Sequence, residues 1–236
     1  MKKRFIIKAG LLFVLGTLMS VLLTACFWDL GDSAAYKSIE GYAEVKAAKE
    51  LYVKLDSGHM YMQDNSDGRV TEEFTFKYRE DGKLTYSYMG SDGDTVYYEF
   101  HNGSEINHKN KGDTEWQFEA QGSENYYVYD RKSRHPYTDE GVISMNAYAV
   151  KESSTEEANG GQKITFIYDP EQFKESLSML GELKSFESTI WLDGDGYCYR
   201  LDQKGVFDNN GAEEVSDYSM FIDTMNKVEN IIRPEV

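Results

Sequence analysis

Two spacings of apolar residues organise the chain. Between Tyr36 and Leu55, the residues Val45, Ala48, Tyr52 and Leu55 recur every three or four positions, with Lys46, Lys49, Glu50 and Lys54 between them. That is one apolar stripe on a helix, and Asp56-Ser57-Gly58 ends it. The period then falls to two. Phe74, Phe76 and Tyr78 alternate with Glu73, Thr75, Lys77 and Arg79 as far as a turn at Asp81-Gly82. Leu84, Tyr86 and Tyr88 follow, with a turn at Ser91-Asp92-Gly93-Asp94. Val96, Tyr98 and Phe100 come next, with a turn at Asn102-Gly103. A short strand around Ile106, a run with Trp116, Phe118 and Ala120, and Tyr126–Tyr129 continue the series. The pattern predicts an antiparallel meander with one apolar and one polar face.

The second half is more interrupted. Arg131–Gly141, with Pro136, reads as a polar loop, and Ile143–Val150 as a strand. Lys151–Gln162 is polar and reads as a second loop, followed by a strand at Ile164–Tyr168. A second helix is expected after it. Asp169 suits an N-cap, Pro170 the first helical position and Gln172 a capping box; Phe173, Leu177 and Leu180 form the stripe and Gly181 the stop. Strands at Phe186–Leu192, Tyr197–Leu201 and Tyr218–Thr224 close the fold. The expected class is α+β, in one domain spanning 36–236: a curved antiparallel sheet whose apolar face packs on the helices.

The N-terminus is organised differently. Met1-Lys2-Lys3-Arg4 is basic, Phe5 to Leu23 is an apolar stretch broken by Lys8, and Leu23-Thr24-Ala25-Cys26 follows. A basic start, an apolar core and small residues before a cut site make an export signal over residues 1–25. The tetrapeptide resembles the bacterial lipobox, which implies a diacylglyceryl group on Cys26 and a lipidated tether over 26–35. A single membrane-spanning anchor is the other reading of this stretch. Both put the remainder on the extracytoplasmic face of a cell membrane.

Removing the signal leaves 211 of the 236 residues, and the formal charge of −16 becomes −20 because Lys2, Lys3, Arg4 and Lys8 leave with it. That charge repels phosphate backbones, so no nucleic-acid partner is expected. It also excludes attraction to an anionic bilayer, so membrane attachment rests on the lipid anchor. Of the two cysteines, Cys26 carries lipid, so Cys198 has no partner for an intramolecular disulfide and reads as a small packed residue.

No pattern for catalysis stands out. Asp193-Gly194-Asp195-Gly196 has Tyr197 and Lys204 where a calcium loop needs acidic or amide ligands, so it reads as a turn. His59, His101, His108 and His135 lack metal-ligand spacing, although His101 and His108 could meet across a hairpin. Nucleophile-elbow, zinc-protease and phosphate-loop motifs are not found, so neither an enzyme, a metal nor a cofactor is expected.

The lipobox, the opening helix Ala43–Leu55, the strand pair Thr71–Tyr88, the run Val96–Gly103 and the ending Met225–Pro234 together resemble the lipoprotein-carrier (LolA-like) superfamily. That superfamily includes the periplasmic outer-membrane lipoprotein carrier, the lipid-binding lipoproteins of mycobacteria and many lipoproteins of Gram-positive bacteria. The resemblance implies a half-barrel, with helices on the concave face and a space that holds acyl chains. On that reading the cavity is lined by Phe74, Phe76, Tyr86 and Tyr88, and further along by Tyr98, Phe100, Trp116 and Phe118. The expected function is binding of a lipid or other hydrophobic ligand. The alternative is an envelope interaction or regulatory module that binds a protein partner and no ligand.

Overall fold

A computed structural model describes residues 34–119, 127–143, 145–173 and 181–235. The signal, Cys26, residues 120–126 and the expected helical residues 174–180 lie outside these. Among the described residues no helix is long and apolar enough to cross a membrane.

The class is α+β, and its frame is an open antiparallel sheet of eleven strands. They are β1 (Ser57–Asp64), β2 (Val70–Tyr78), β3 (Leu84–Asp92), β4 (Thr95–His101), β5 (Ile106–Asn110), β6 (Gln117–Glu119), β7 (Val150–Ala158), β8 (Gly161–Tyr168), β9 (Glu182–Leu192), β10 (Cys198–Asn209) and β11 (Ala212–Asp223). The hydrogen-bonded order is β6-β5-β4-β3-β2-β1-β11-β10-β9-β8-β7. The chain forms two compact units, residues 1–53 with 140–219, and residues 54–139 with 220–236.

In the first unit the opening helix is split. α1 (Ala34–Lys37) and α2 (Tyr42–Tyr52) are separated by Gly41, which has φ +81°. A side chain at Gly41 would run into the Ile164 methyl on β8, so glycine supplies both the left-handed turn and the close approach. Val45, Ala48 and Tyr52 are buried as their spacing predicts. Ile164 and Tyr168 face Ile190 and Phe186 across β8 and β9, and all four are buried. Phe173 joins this core from a single 3-10 turn, Pro170–Phe173.

Two expected features are corrected here. Lys151–Gln162 is not a loop but β7 and the start of β8, joined at Asn159-Gly160, both with positive φ. Ile143–Val150 is not a strand; Ile143 is buried in irregular chain and Ala147–Ala149 is a 3-10 turn. β10 and β11 also extend further than expected, to meet at Asn210-Gly211. Asp193 makes the expected turn, accepting from the N–H groups of Asp195 (3.0 Å) and Tyr197 (2.9 Å). Cys198 is buried, and burial pushes its thiol pKa up to about 12, so it is an inert packed residue.

In the second unit β1 to β6 form a meander. On one face Phe74, Phe76, Tyr78, Leu84, Tyr86 and Tyr88 are buried, as their alternation predicts. β4 departs from its alternation. Tyr86 pairs with His101 and Tyr88 with Glu99, so Tyr97, Glu99 and His101 share the face of Phe74. Tyr98 and Phe100 pair with Met89 and Ser87 and lie on the opposite face. The reason is turn length: Asp92 pairs with Thr95 across a two-residue loop, and that register sets which residues face inward.

Candidate functional site

The inner face of the second unit carries the densest aromatic cluster. Phe74 and Phe76 stack at 5.9 Å, and Phe74 lies 5.4 Å from Tyr86. Gly58 gives Phe76 its space, since a Cβ there would lie 2.9 Å from the Phe76 ring. Among the described residues of this unit there is no α-helix. Residues 127–138 form a strap over this face: residues 127–129, expected as the end of a strand, make no ladder beyond one bridge at Asp130, and the polar loop expected from Arg131 onward folds onto the sheet. His135 stacks on Phe74 at 4.6 Å, and Tyr137 stacks on Tyr88 at 5.7 Å. Tyr129 meets the edge of His135 at 4.6 Å.

The strap is held by polar contacts at its margins. The Leu84 N–H donates to the Tyr129 carbonyl (2.9 Å), and Lys83 and Asp130 form one β-bridge. The Tyr78 hydroxyl donates to Thr138 Oγ1 (3.0 Å), and Arg131 lies over the Tyr78 ring at 4.2 Å while pairing with Asp56. The Tyr137 hydroxyl donates to Glu72. Burial holds the His135 pKa down to about 3, so its ring is neutral and its Nδ1 accepts from the Tyr137 N–H (3.2 Å).

Two carboxylates sit among the tyrosines. Glu99 accepts from the hydroxyls of Tyr86 and Tyr97, the latter at 2.9 Å. Burial raises the Glu72 pKa against the pull of the Tyr137 hydroxyl. Burial, followed by the charge of Glu99, pushes Tyr86 well above the usual phenol range, so it stays a neutral donor. His101 is fully buried and parallel to Tyr86 at 5.4 Å. Its Nδ1 accepts from the Gly103 N–H (3.0 Å) and lies 3.0 Å from the Leu84 carbonyl, and its Nε2 has no partner among the described residues. Among the described residues no group of three His, Cys, Asp or Glu is placed to hold a metal.

The structure therefore divides the expected cavity lining. Phe74, Phe76, Tyr86 and Tyr88 come together on the inner face. Tyr98 and Phe100 do not join them, and Phe118, 56% exposed, pairs with Asn107 on the same outer face as Phe100. Trp116 precedes β6, with the Arg233 guanidinium over its ring at 5.7 Å. His101 and His108 share a face but do not form a pair; His108 lies opposite Glu99 and contacts Gln117 and Glu119. The sequence reading missed Glu72, Glu99, His135 and Tyr137. Glu72 had a signal, because it continues the inward phase of 74, 76 and 78.

The outer face of this unit is also covered, by the C-terminal segment. The Asn226 N–H donates to the Ser57 carbonyl (2.8 Å), and Lys77 Nζ donates to the carbonyls of Val228 (3.0 Å) and Glu229 (2.6 Å). Beside it, Val70, Met89, Val96, Tyr98 and Pro234 line a groove of about 510 Å³.

The chain is similar in structure to two mycobacterial proteins. LprF of Mycobacterium bovis is 11% identical, over 81% of this chain and 95% of that one, with a TM-score of 0.45. The lipoprotein LppX of Mycobacterium tuberculosis is 18% identical, over 86% of this chain and all of that one, with a TM-score of 0.46. Likeness at this level assigns neither a ligand nor a site. No protein-family model matches the chain, and no curated protein matches it by sequence.

Proposed function

We propose that this protein is a lipid-anchored extracytoplasmic lipoprotein, attached through Cys26, that binds a lipid or other hydrophobic ligand on the inner face of the second unit. The strap carries this reading. Among the described residues of this unit, a sheet face built from Phe74, Phe76, Leu84 and Tyr86 is closed by a strap with few regular backbone bonds and a single 3-10 turn, Pro136–Thr138. Such a cover lifts at lower cost than a packed helix, and lifting it presents a continuous apolar surface to an acyl chain. The test is native mass spectrometry of the mature chain with Cys26→Ser, purified without detergent, with lipid extraction of the same sample. A bound mass that extracts as an acyl lipid, and that is lost when Tyr86 is changed to Asp, is the expected result. An apo mass that stays apo after incubation with acyl lipids sinks the reading.

The closure of the inner face in this structure favours a second reading, an envelope interaction module without a ligand. In that case the same sample stays apo, and the full-length chain extracted from membranes carries a stoichiometric protein partner.

A further inference from the structure

We infer that the turn at Asn159 is a site of spontaneous covalent modification, at which the Gly160 nitrogen converts the Asn159 side chain into an aspartyl or isoaspartyl group. The chemistry is intramolecular. The deprotonated Gly160 nitrogen attacks the side-chain carbonyl carbon of Asn159, the new C–N bond closes a five-membered imide, and the side-chain nitrogen leaves as ammonia. Water then opens the imide at one of its two carbonyls. One opening gives aspartate. The other gives isoaspartate, whose backbone runs through the side chain and is one methylene longer. Glycine has no Cβ to hinder the attack, which makes Asn-Gly a reactive pair.

The chain holds three Asn-Gly pairs, beginning at Asn102, Asn159 and Asn210, and the fold treats them differently. At Asn102 both reacting groups are engaged. Its Oδ1 accepts from the N–H groups of Ser104 (3.0 Å) and Glu105 (2.9 Å) and from the Ser104 hydroxyl (3.1 Å). Its Nδ2 donates to Glu105 (3.1 Å), and the buried Gly103 donates its N–H to His101 Nδ1 (3.0 Å).

The other two pairs form a natural comparison. Asn159-Gly160 joins β7 to β8 and Asn210-Gly211 joins β10 to β11, each as a two-residue loop. All four residues are exposed and left-handed, with φ +51° and +79° in the first loop and +56° and +88° in the second. A Cβ at either glycine would meet nothing. Leaving the left-handed turn to reach the attacking geometry therefore costs the two loops about the same, and polar contacts decide between them. Asp208 Oδ1 accepts from the Gly211 N–H at 2.7 Å, and Asn210 Nδ2 donates to Asn209 Oδ1 at 3.1 Å. A proton held by a carboxylate is harder to remove, and the bond keeps the nitrogen from turning towards the side chain. In the first loop Glu157 stands at the place of Asp208 and makes no such bond. Neither the Asn159 side chain nor the Gly160 N–H has a partner among the described residues.

The added methylene has room on one side only. β8 begins at Gly161, where a Cβ would run into the Leu192 carbonyl, so that end of the hairpin is pinned. β7 is the last strand of the sheet and pairs with β8 alone. Isoaspartate at 159 therefore loosens β7, because hairpin register depends on the loop, and the new carboxylate stands near Glu156 and Glu157.

In the test, the mature chain carrying Cys26→Ser is kept folded in mildly alkaline buffer, and Asn, Asp and isoaspartate at the three sites are separated by peptide mapping with mass spectrometry. Asn159 is expected to convert about tenfold faster than Asn210, the factor that one hydrogen bond to a charged group supplies, with Asn102 slowest. In denaturant the three rates should come together. Asp208→Ala, checked for an unchanged thermal midpoint, should bring Asn210 up towards Asn159. Conversion of Asn102 or Asn210 as fast as Asn159 in the folded chain overturns the inference. So do rates that stay equally far apart in denaturant, and an Asn210 rate that Asp208→Ala leaves unchanged. Amide exchange in β7 should quicken in the aged chain; exchange unchanged after full conversion overturns the loosening of β7.

Discussion

His135 lies flat on Phe74, their ring centroids 4.6 Å apart and their planes 15° from parallel. This contact joins the strap to the floor of the sheet, and burial there favours the neutral imidazole. Protonation would place a charge on an apolar ring stack with no water to solvate it.

The strap is therefore expected to be acid-sensitive. The folded-state pKa of His135 is held at about 3, below the ordinary 6.5. A depressed pKa means that the contribution of His135 is complete above the unfolded value and is lost as the pH falls towards the folded one. The loss is about 1.4 kcal/mol per pH unit within that window. Binding of an apolar dye should rise as the pH falls below about 6, and His135→Phe should move that rise to lower pH. An identical dye profile in the variant would show that another group opens the strap.

Glu72 acts in the opposite direction. Burial raises its pKa above 4.5, so its favourable contribution is complete below 4.5 and is lost as the pH rises through the folded value. Glu72→Gln should raise the denaturant midpoint at pH 7 and leave it nearly unchanged at pH 4. Tyr137→Phe, which removes the donor to Glu72, should cost about 1–3 kcal/mol at neutral pH. Its cost should shrink in the Glu72→Gln background, where no carboxylate is left wanting a donor. Additive effects in that double-mutant cycle would count against the coupling.

On the outer face, His59 lies between two carboxylates, with Nε2 3.1 Å from Glu73 and Nδ1 2.9 Å from Asp223. Its bond to Glu73 raises its pKa, with Asp223 adding to the effect and burial opposing it. A raised pKa contributes stability that is complete below 6.5 and disappears as the pH rises through the folded value. Both carboxylates are half exposed, so the contribution is screened to under about 1 kcal/mol. Titration of His59 by NMR should show its pKa falling in Glu73→Gln, and falling further in high salt. A pKa that does not respond to Glu73→Gln would refute the assignment.

In the first unit, Gly41→Ala should destabilise the fold by about 1–3 kcal/mol through strain at positive φ, with the clash on Ile164 adding to it. Thermal unfolding measures this, and Gly82→Ala is the control, since φ is +80° there and a Cβ would meet nothing. Equal losses at the two sites would mean that backbone strain alone, and not packing of α2 on β8, sets the cost.

The parts of the fold legible in the sequence are those governed by local chemistry. The stripe of Val45, Ala48 and Tyr52, the alternation of Phe74 to Tyr88 and the turn at Asp193 all follow from periodicity and turn residues. The hairpins at Asn159-Gly160 and Asn210-Gly211 were not read from the sequence, although each carries a local signal, an Asn-Gly pair that favours a two-residue turn. The first was obscured because β7 is mostly exposed and its alternation carries little apolar signal.

The sequence by itself determined an α+β chain with an antiparallel meander and a run of inward aromatics on β2 and β3. Tertiary structure alone decided which face of β4 turns inward, because hairpin register depends on loop length and a one-residue slip reverses every side chain. It also decided what covers those aromatics. His135 and Tyr137 sit in a stretch whose composition reads as solvent-exposed, and contact with Phe74 and Tyr88, about fifty to sixty positions earlier in the chain, draws them inside. Hydrophobic pattern reports what a strand or helix can bury by itself; it does not report which irregular segment will come to lie on it.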